Sequence, residues 1–270
     1  MRLYLTSSKF KHYTSDWLCV LLLLVVFFGI VEKSLPFNRQ FSINDLRLSH
    51  PFATEERVTD IQLYLLTCIA PSVLVTLISL FSKNTNFERL HSVQIANLGL
   101  WLVLSITGVL TDILKCWIGN PRPDFIERCS PVANTPVDKL VDISVCTAPL
   151  GQMYLLDGLK STPSGHSSLS FAGLGYLALW LCGHYKILSL DQTSHAMFAK
   201  LILAVSPPIL LAAYIALSRT QDYRHHFFDV IFGSIIGTGF AYWGYFRHYP
   251  SLFASNSNIP LDPDEETWKN

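Results

Sequence analysis

Long, continuous apolar stretches are the feature that most constrains what this chain can fold into. A bilayer core holds no water to bond exposed backbone groups, so an apolar run of about 17–25 residues must form a helix there. Six candidate runs occur, at about residues 17–32, 61–81, 93–114, 167–181, 201–217 and 227–246, of which the first and fourth are short enough to need flanking residues. The runs are continuous, whereas strands of a membrane barrel would alternate apolar and polar residues. The pattern predicts an all-α, polytopic membrane protein with six transmembrane helices.

The composition agrees with a membrane protein and argues against a nucleic-acid partner. Half of the 270 residues are hydrophobic and only 15% are charged, which is too apolar for an ordinary soluble domain. Twenty basic residues balance twenty acidic ones, and no basic block is long enough to bind a polyanion. The bilayer itself is therefore the expected partner, and nucleic acid is not.

The first apolar run could be read as a signal peptide, because basic residues precede it. The run ends in Glu32 and Lys33 without a small-residue cleavage site, which favours a retained first helix. The polar, acidic residues from Pro250 onward predict a solvated, mobile end. The predicted organisation is a cytoplasmic N-terminus (1–16), a six-helix membrane domain (17–247) and a cytoplasmic polar tail (248–270).

Ionisable residues are costly in membrane helices, so those at helix ends beside loops are candidates for function. Three groups stand out: Lys115 with Arg122 and Pro123; Pro163, Ser164, Gly165 and His166; and Ser218 and Arg219 with His225 and Asp229. Taken singly, a lysine or arginine at a helix end usually extends to the lipid headgroups. Antiparallel helices, however, would bring all three groups to one face of the membrane, so we interpret them as one site.

The combined chemistry of these groups points to phosphate. Lys115, Arg122 and Arg219 are cationic donors, and the planar fork of arginine matches phosphate oxygens. The turn at Ser164 and Gly165 leads into a helix start, where backbone N–H groups and the helix dipole favour an anion. The sequence therefore predicts a phosphate-binding site built from side chains.

The spacing of His225 and Asp229 predicts an oriented nucleophile. Residues four apart share one face of a helix, so the carboxylate could hold one ring nitrogen and leave the other free to attack. An isolated pair of this kind could equally be structural. His226 should point away around the helix and take no part, and Asp112 could pair with Lys115 one turn later.

At these residues the sequence resembles the type 2 phosphatidic acid phosphatase superfamily, and within it the eukaryotic lipid phosphate phosphatases and fungal diacylglycerol pyrophosphate phosphatases. The pattern of that family is Lys, six residues, Arg-Pro; then Pro-Ser-Gly-His; then Ser-Arg, five residues, His, three residues, Asp. The chain carries every one of these residues between Lys115 and Asp229. The motifs are specific, and the six apolar runs extend the likeness over most of the chain.

The resemblance implies a magnesium-independent phosphatase with no metal and no cofactor. It implies that His225 attacks phosphorus to give a phosphohistidine, that Asp229 orients His225, and that His166 protonates the leaving oxygen and then activates water. The phosphoryl oxygens would be held by five residues: Lys115, Arg122, Ser164, Gly165 and Arg219. The implied substrates are lipid phosphates, with phosphatidate, lysophosphatidate and diacylglycerol pyrophosphate preferred.

Several alternatives stay open at this point. A transferase that passes a phospho-headgroup to another lipid could share the two histidines and the aspartate, although Lys115 and Arg122 favour hydrolysis. A transporter, a channel or an inactive relative would not need both histidines and Asp229. Sphingoid phosphates and polyprenyl pyrophosphates are possible substrates.

The topology and the cysteines give two further expectations. Basic residues near the N-terminus favour a cytoplasmic start, so helices three and five would end on the lumenal or extracellular face, together with the site. We expect a multi-pass protein of an endomembrane (ER, Golgi or vacuole) or of the plasma membrane. On such a face Cys129 and Cys146 could form a disulfide, with Cys116 as a competing partner, or all six cysteines could be free.

Overall fold

The computed structural model describes residues 2–82, 85–190 and 197–261 of the chain. In these residues the chain is helical, and β pairing is limited to two isolated bridges, Phe41 with Val141 and Pro131 with Cys146. The all-α prediction is confirmed. Six long helices carry the fold: α1 (Ser8–Val31), α2 (Asp60–Leu80), α3 (Asn86–Ile118), α4 (Gly165–His184), α5 (Met197–Gln221) and α6 (Phe227–His248).

Short elements complete the described fold. Three of the long helices contain a π-helical turn, where the backbone hydrogen bonds lengthen by one residue; these are Phe27–Val31, Leu65–Ile69 and Leu201–Val205. The short helices are Arg2–Leu5, Leu46–Leu48, Phe125–Cys129, Ile143–Val145 and Gln152–Asp157, of which Leu46–Leu48 and Ile143–Val145 are 3₁₀ turns.

Local sequence signals fix where the long helices begin and end. Helix α2 begins with a capping box between Thr59 and Gln62, and α3 begins with one between Thr85 and Glu88, so donors at each helix start are satisfied. Helix α3 ends at Gly119, whose φ of 60° lies in the left-handed region that glycine adopts without strain. This ending turns the chain directly after Lys115 and towards Arg122.

Helix α4 lies at the centre of the bundle and packs against α6, α5 and α3. Five described helices are long and apolar enough to cross a membrane, and α4 is not among them, so the predicted count of six spans is not confirmed. The helix itself forms where the fourth span was predicted. Because α4 contacts other helices on nearly all sides, it is rich in small serine and glycine residues that lower its hydropathy.

The approach of α6 to α4 is unusually close near the site. A side chain at Gly233 would meet the backbone oxygen of Ser164 and, at 3.1 Å, the Cβ of Ser167, and one at Gly237 would collide with the backbone oxygen of Ser168. Glycine at these two positions lets the helix backbones touch. The starts of α4 and α6, which carry candidate site residues, are thereby held at a fixed separation.

The loops that follow α1 and α3 form a small cap with its own apolar core. This core contains Phe41, Leu48, Phe125, Leu155 and Leu159, together with Cys129. The cap lies on the side of the bundle that carries the candidate site residues. The loops are therefore packed structure over the site and not loose connections.

The predicted tail is only partly solvated. Ser257 is fully buried, and its hydroxyl donates a hydrogen bond of 3.0 Å to the Gly183 carbonyl, while the Leu261 N–H bonds to the His248 carbonyl at 2.8 Å. Part of the predicted solvated tail, as far as Leu261, therefore packs against the helical bundle. Residues 262–270 of the predicted tail lie outside the described residues.

Candidate active site

The loop after helix α3 holds Arg122 through a network of ion pairs. The Arg122 backbone N–H donates to the Gly158 carbonyl at 2.8 Å, and its guanidinium donates to the Asp157 carbonyl through Nε at 3.0 Å and to the Asp157 carboxylate through Nη2 at 2.8 Å. Arg128 bonds the other carboxylate oxygen of Asp157 at 2.9 Å and both oxygens of Asp124. Arg122 is thus fixed by charges that the sequence interpretation did not identify.

The charge of Asp157 is stabilised by these arginines. Burial alone would raise the pKa of Asp157, but Arg122, Arg128 and Lys115 lower it to about 2. The carboxylate therefore stays ionised at any physiological pH. Its signal in the sequence was weak, because an aspartate in a long loop resembles any solvated residue.

The start of helix α4 places Ser164, Gly165 and Lys115 together. Ser164 caps the helix, with its hydroxyl oxygen accepting from the Ser167 N–H at 3.4 Å. The Lys115 ammonium lies against Gly165, where an added Cβ would be 3.0 Å from Nζ. Lys115 also pairs with Asp112 at 3.1 Å, as predicted. The ammonium and the first backbone amides of α4 form one positive surface.

His225 is oriented by a backbone carbonyl. Its Nδ1 lies 2.7 Å from the Ser161 carbonyl oxygen, and because a carbonyl can only accept, Nδ1 must carry the hydrogen. The other ring nitrogen, Nε2, therefore keeps its lone pair in the neutral ring. His225 is buried, and burial together with Arg122, Arg219 and Lys115 holds its pKa well below the ordinary value. These surroundings favour a neutral, nucleophilic imidazole.

Asp229 stabilises the segment that orients His225. It is fully buried and accepts from the Ser161 hydroxyl at 2.6 Å, from the Thr162 hydroxyl, and from the His226 backbone N–H at 2.9 Å. Its nearer oxygen is 3.9 Å from Nδ1 of His225. Asp229 therefore fixes the Ser161 segment, and that segment in turn orients His225.

His225 and His226 both lie differently from what the sequence predicts. His225 lies outside helix α6, which begins at Phe227 with His226 as its capping residue, so His225 and Asp229 are not on one helical face. His226 does not point away: its Nδ1 is 3.2 Å from Asp229. The spacing correctly predicted that His225 and Asp229 lie close together, but not that the helix starts after His225, because a helix start cannot be located to the residue from sequence.

His166 and Arg219 meet a segment that the sequence interpretation missed. Nε2 of His166 donates to the Val58 carbonyl at 2.9 Å, and Nη1 of Arg219 donates to the same oxygen at 3.0 Å. Nη2 of Arg219 bonds Glu56 at 3.0 Å. The chain before α2 thus forms one wall of the site, and neither periodicity nor motif spacing pointed to it.

The structure brings the predicted site residues to one end of the bundle. Lys115, Arg122, Arg219 and His166 all lie near enough to influence the charge of His225. In residues 2–82, 85–190 and 197–261, no three His, Cys, Asp or Glu side chains are grouped so that they could hold a metal ion. The arrangement can bind a phosphoryl group with cationic and backbone donors and present a histidine nitrogen to it.

Comparison with known proteins agrees with this chemistry. The model of the PAP2 superfamily matches residues 96–251. The chain is similar to diacylglycerol pyrophosphate phosphatase 1 of Saccharomyces cerevisiae, with 44% identity over 232 residues that cover 84% of this chain and 76% of the relative. It is also similar to lipid phosphate phosphatase 2 of Arabidopsis thaliana, with 34% identity over 265 residues that cover 94% of this chain and 80% of the relative. No solved structure matches the chain.

Proposed function

The chain belongs to the PAP2 superfamily and is a membrane phosphatase, and we propose that it hydrolyses phosphatidate, lysophosphatidate and diacylglycerol pyrophosphate without magnesium, through a phosphohistidine. One observation carries the proposal. His225 is held through Nδ1 on the Ser161 carbonyl, which leaves Nε2 unprotonated in a ring whose pKa is lowered by burial and by Arg122, Arg219 and Lys115. A nitrogen lone pair beside three cations suits attack on a phosphate.

The reaction then proceeds in two displacements. Nε2 of His225 forms a bond to phosphorus as the bond from phosphorus to the leaving oxygen breaks, and His166 gives that oxygen a proton. His166, now neutral, next takes a proton from water, which forms a bond to phosphorus as the bond from phosphorus to Nε2 of His225 breaks, and phosphate is released. Both transition states spread negative charge over the phosphoryl oxygens, which the cationic side chains and the Ser164–Gly165 turn stabilise.

The names of the relatives support a lipid substrate. The yeast protein is named for diacylglycerol pyrophosphate and the Arabidopsis protein for lipid phosphates. The apolar helices around the site would keep such a lipid in the membrane during catalysis. A site formed wholly by side chains and backbone amides also supplies the neutralising charge that magnesium provides in many other phosphoryl-transfer enzymes.

The proposed topology places the site on the lumenal or extracellular face. Residues 1–16 and 248–270 would then be cytoplasmic, and 17–247 would form the membrane domain. The Cys129–Cys146 disulfide, with Cα atoms 4.5 Å apart, supports this orientation, because disulfides persist in oxidising compartments. The bridge lies in the cap, on the same side as His225.

A lipid panel tests the proposed function. Purified full-length protein is incubated in EDTA with phosphatidate, lysophosphatidate and diacylglycerol pyrophosphate, and with sphingoid phosphate and polyprenyl pyrophosphate as comparison substrates. We expect phosphate release from the first three at rates that added magnesium does not increase. Release that requires magnesium, or that requires a second lipid as acceptor, would contradict the proposal.

A further inference from the structure

Residues 50–59, here called the strap, lie across the site between helices α1 and α2. The His50 ring stacks on Tyr223 with centroids 4.4 Å apart. The Phe52 ring lies beneath the guanidinium groups of Arg128 and Arg224, at 4.9 Å and 4.4 Å. The strap is thus anchored on both the cap and the segment that leads to His225.

Glu56 of the strap bonds two arginines at once. Its carboxylate lies 3.0 Å from Nη2 of Arg219 and 3.0 Å from Nη2 of Arg224. Both arginines are buried, with exposures of 2% and 5%. The Nε atom of each arginine is buried and has no hydrogen-bond partner within the described residues. Each guanidinium group therefore has one donor that no group in the described residues uses.

The same segment occupies other groups that the reaction needs. The Val58 carbonyl accepts from Nη1 of Arg219 and from Nε2 of His166. Both terminal nitrogens of Arg219 are consequently bonded to the strap. The two terminal nitrogens of Arg219 cannot both bind a phosphate until the carboxylate of Glu56 moves away. Glu56 can do so, because its side chain is 25% exposed to solvent.

We propose that Glu56 is a specificity-determining residue. Its carboxylate occupies the position on Arg219 that a phosphate oxygen would take. A terminal phosphate displaces this carboxylate, whereas a phosphodiester does not. This inference rests on the proposed function. Glu56 carries one negative charge. A phosphodiester brings only one charge, so it gains nothing by exchange and loses the strap contacts. A terminal phosphate approaches two charges near neutral pH and gains attraction from both arginines.

The consequence is selectivity within the membrane. Phosphodiester lipids have the same headgroup depth and the same acyl chains as the substrates, so chain contacts cannot reject them. Competition by Glu56 distinguishes the lipids by the one property in which they differ, the charge of the phosphate. This is discrimination by an opposing charge and not by an added attraction.

Two small anions test the proposal on the purified full-length protein. At about pH 8 inorganic phosphate is a dianion, whereas dimethyl phosphate is a monoanionic diester. Binding of each is measured by the shift in thermal unfolding and by inhibition of phosphatidate hydrolysis. The variants are Glu56→Gln, which keeps the shape and removes the charge, and Glu56→Ser as a second variant if Gln impairs folding. Glu55→Gln is the matched control, because Glu55 is exposed.

We expect wild type and the Glu55→Gln variant to bind phosphate and to ignore dimethyl phosphate. In the Glu56→Gln variant the dissociation constant of phosphate should fall, because no carboxylate competes for the arginines. The preference for phosphate over dimethyl phosphate should shrink by about tenfold. Unchanged or weaker phosphate binding would overturn the proposal and would make Glu56 a positioning residue. The shift in thermal unfolding does not depend on turnover. The binding result can therefore be interpreted even if the protein hydrolyses none of the lipids in the panel.

Discussion

The carbonyl of Ser161 decides which nitrogen of His225 can react. Replacing His225 by Ala removes the nucleophile and one hydrogen bond, so turnover should fall by about 10⁴-fold or more while the protein remains folded. Brief reaction with labelled lipid phosphate should give wild type, but not the variant, a phosphoenzyme that is labile in acid. The exposed His12→Ala variant is the control. Near-normal activity of purified His225→Ala protein would refute the mechanism.

His166 has a different expected signature. Its replacement by Ala leaves the nucleophile but removes the proton donor for the leaving oxygen and the base for water. We therefore expect slow formation of the phosphoenzyme and still slower breakdown, so labelled enzyme should accumulate over minutes in quenched samples. A variant that never becomes labelled would show that His166 is needed for the attack itself.

The depressed pKa of His225 predicts the acid side of the pH profile. In the proposed mechanism the neutral ring is the nucleophile, and its pKa lies well below the ordinary 6.5, so lowering the pH to 6.5 should leave most rings neutral. Activity should be lost only as the pH falls through the lower, folded-state value. The measurement is kcat/KM for lysophosphatidate across the acid range, because kcat/KM reports the pKa values of the unliganded enzyme. An acid limb with its midpoint at or above 6.5 would show that the cations do not act on His225 in this way.

At the scale of elements, the cap depends on the bridge between Cys129 and Cys146. The bridge closes a 17-residue separation, and the chain-entropy model gives about 3 kcal/mol for a loop of this size. A Cys129→Ser variant should unfold at a lower temperature than wild type. On heating it should lose activity before it unfolds, because Arg128 beside Cys129 bonds Asp157, which in turn holds Arg122. Cys19→Ser, which removes an exposed free thiol, is the control. Two unmodified thiols in unreduced wild-type peptides would reject the bridge.

The helices could be predicted from sequence because a bilayer requires long apolar runs. The motif residues could be predicted because their spacing matches the family pattern. Helix α4 was predicted as well, but it is not among the helices long and apolar enough to span a membrane, because its neighbours are other helices, which favour small residues. Glu56, Val58 and Asp157 could not be predicted. Val58 is 108 residues away from His166 in sequence, and no periodicity encodes a contact between a loop and a helix start.

At the scale of the whole molecule, the orientation of the bundle can be tested by glycosylation. The chain contains no Asn-x-Ser/Thr acceptor, so any signal must come from an engineered site. An acceptor placed between Arg128 and Leu156 should be modified in microsomes, and one placed after Asn256 should not. The reverse pattern would put catalysis on the cytosolic face.

The residues that follow His225 determine how the enzyme meets its substrate. Phe227 and Phe228 are two-thirds exposed, at 68% and 67%, and Ile231 and Ile235 continue the same exposed apolar row down α6. In a bilayer this row lies against acyl chains, with His225 directly above it at headgroup depth. In the proposed mechanism a lipid phosphate would therefore reach His225 by diffusion in the plane of the membrane. Turnover should follow the mole fraction of lipid phosphate in the surface, and dilution with inert lipid should slow it even when the bulk concentration is unchanged.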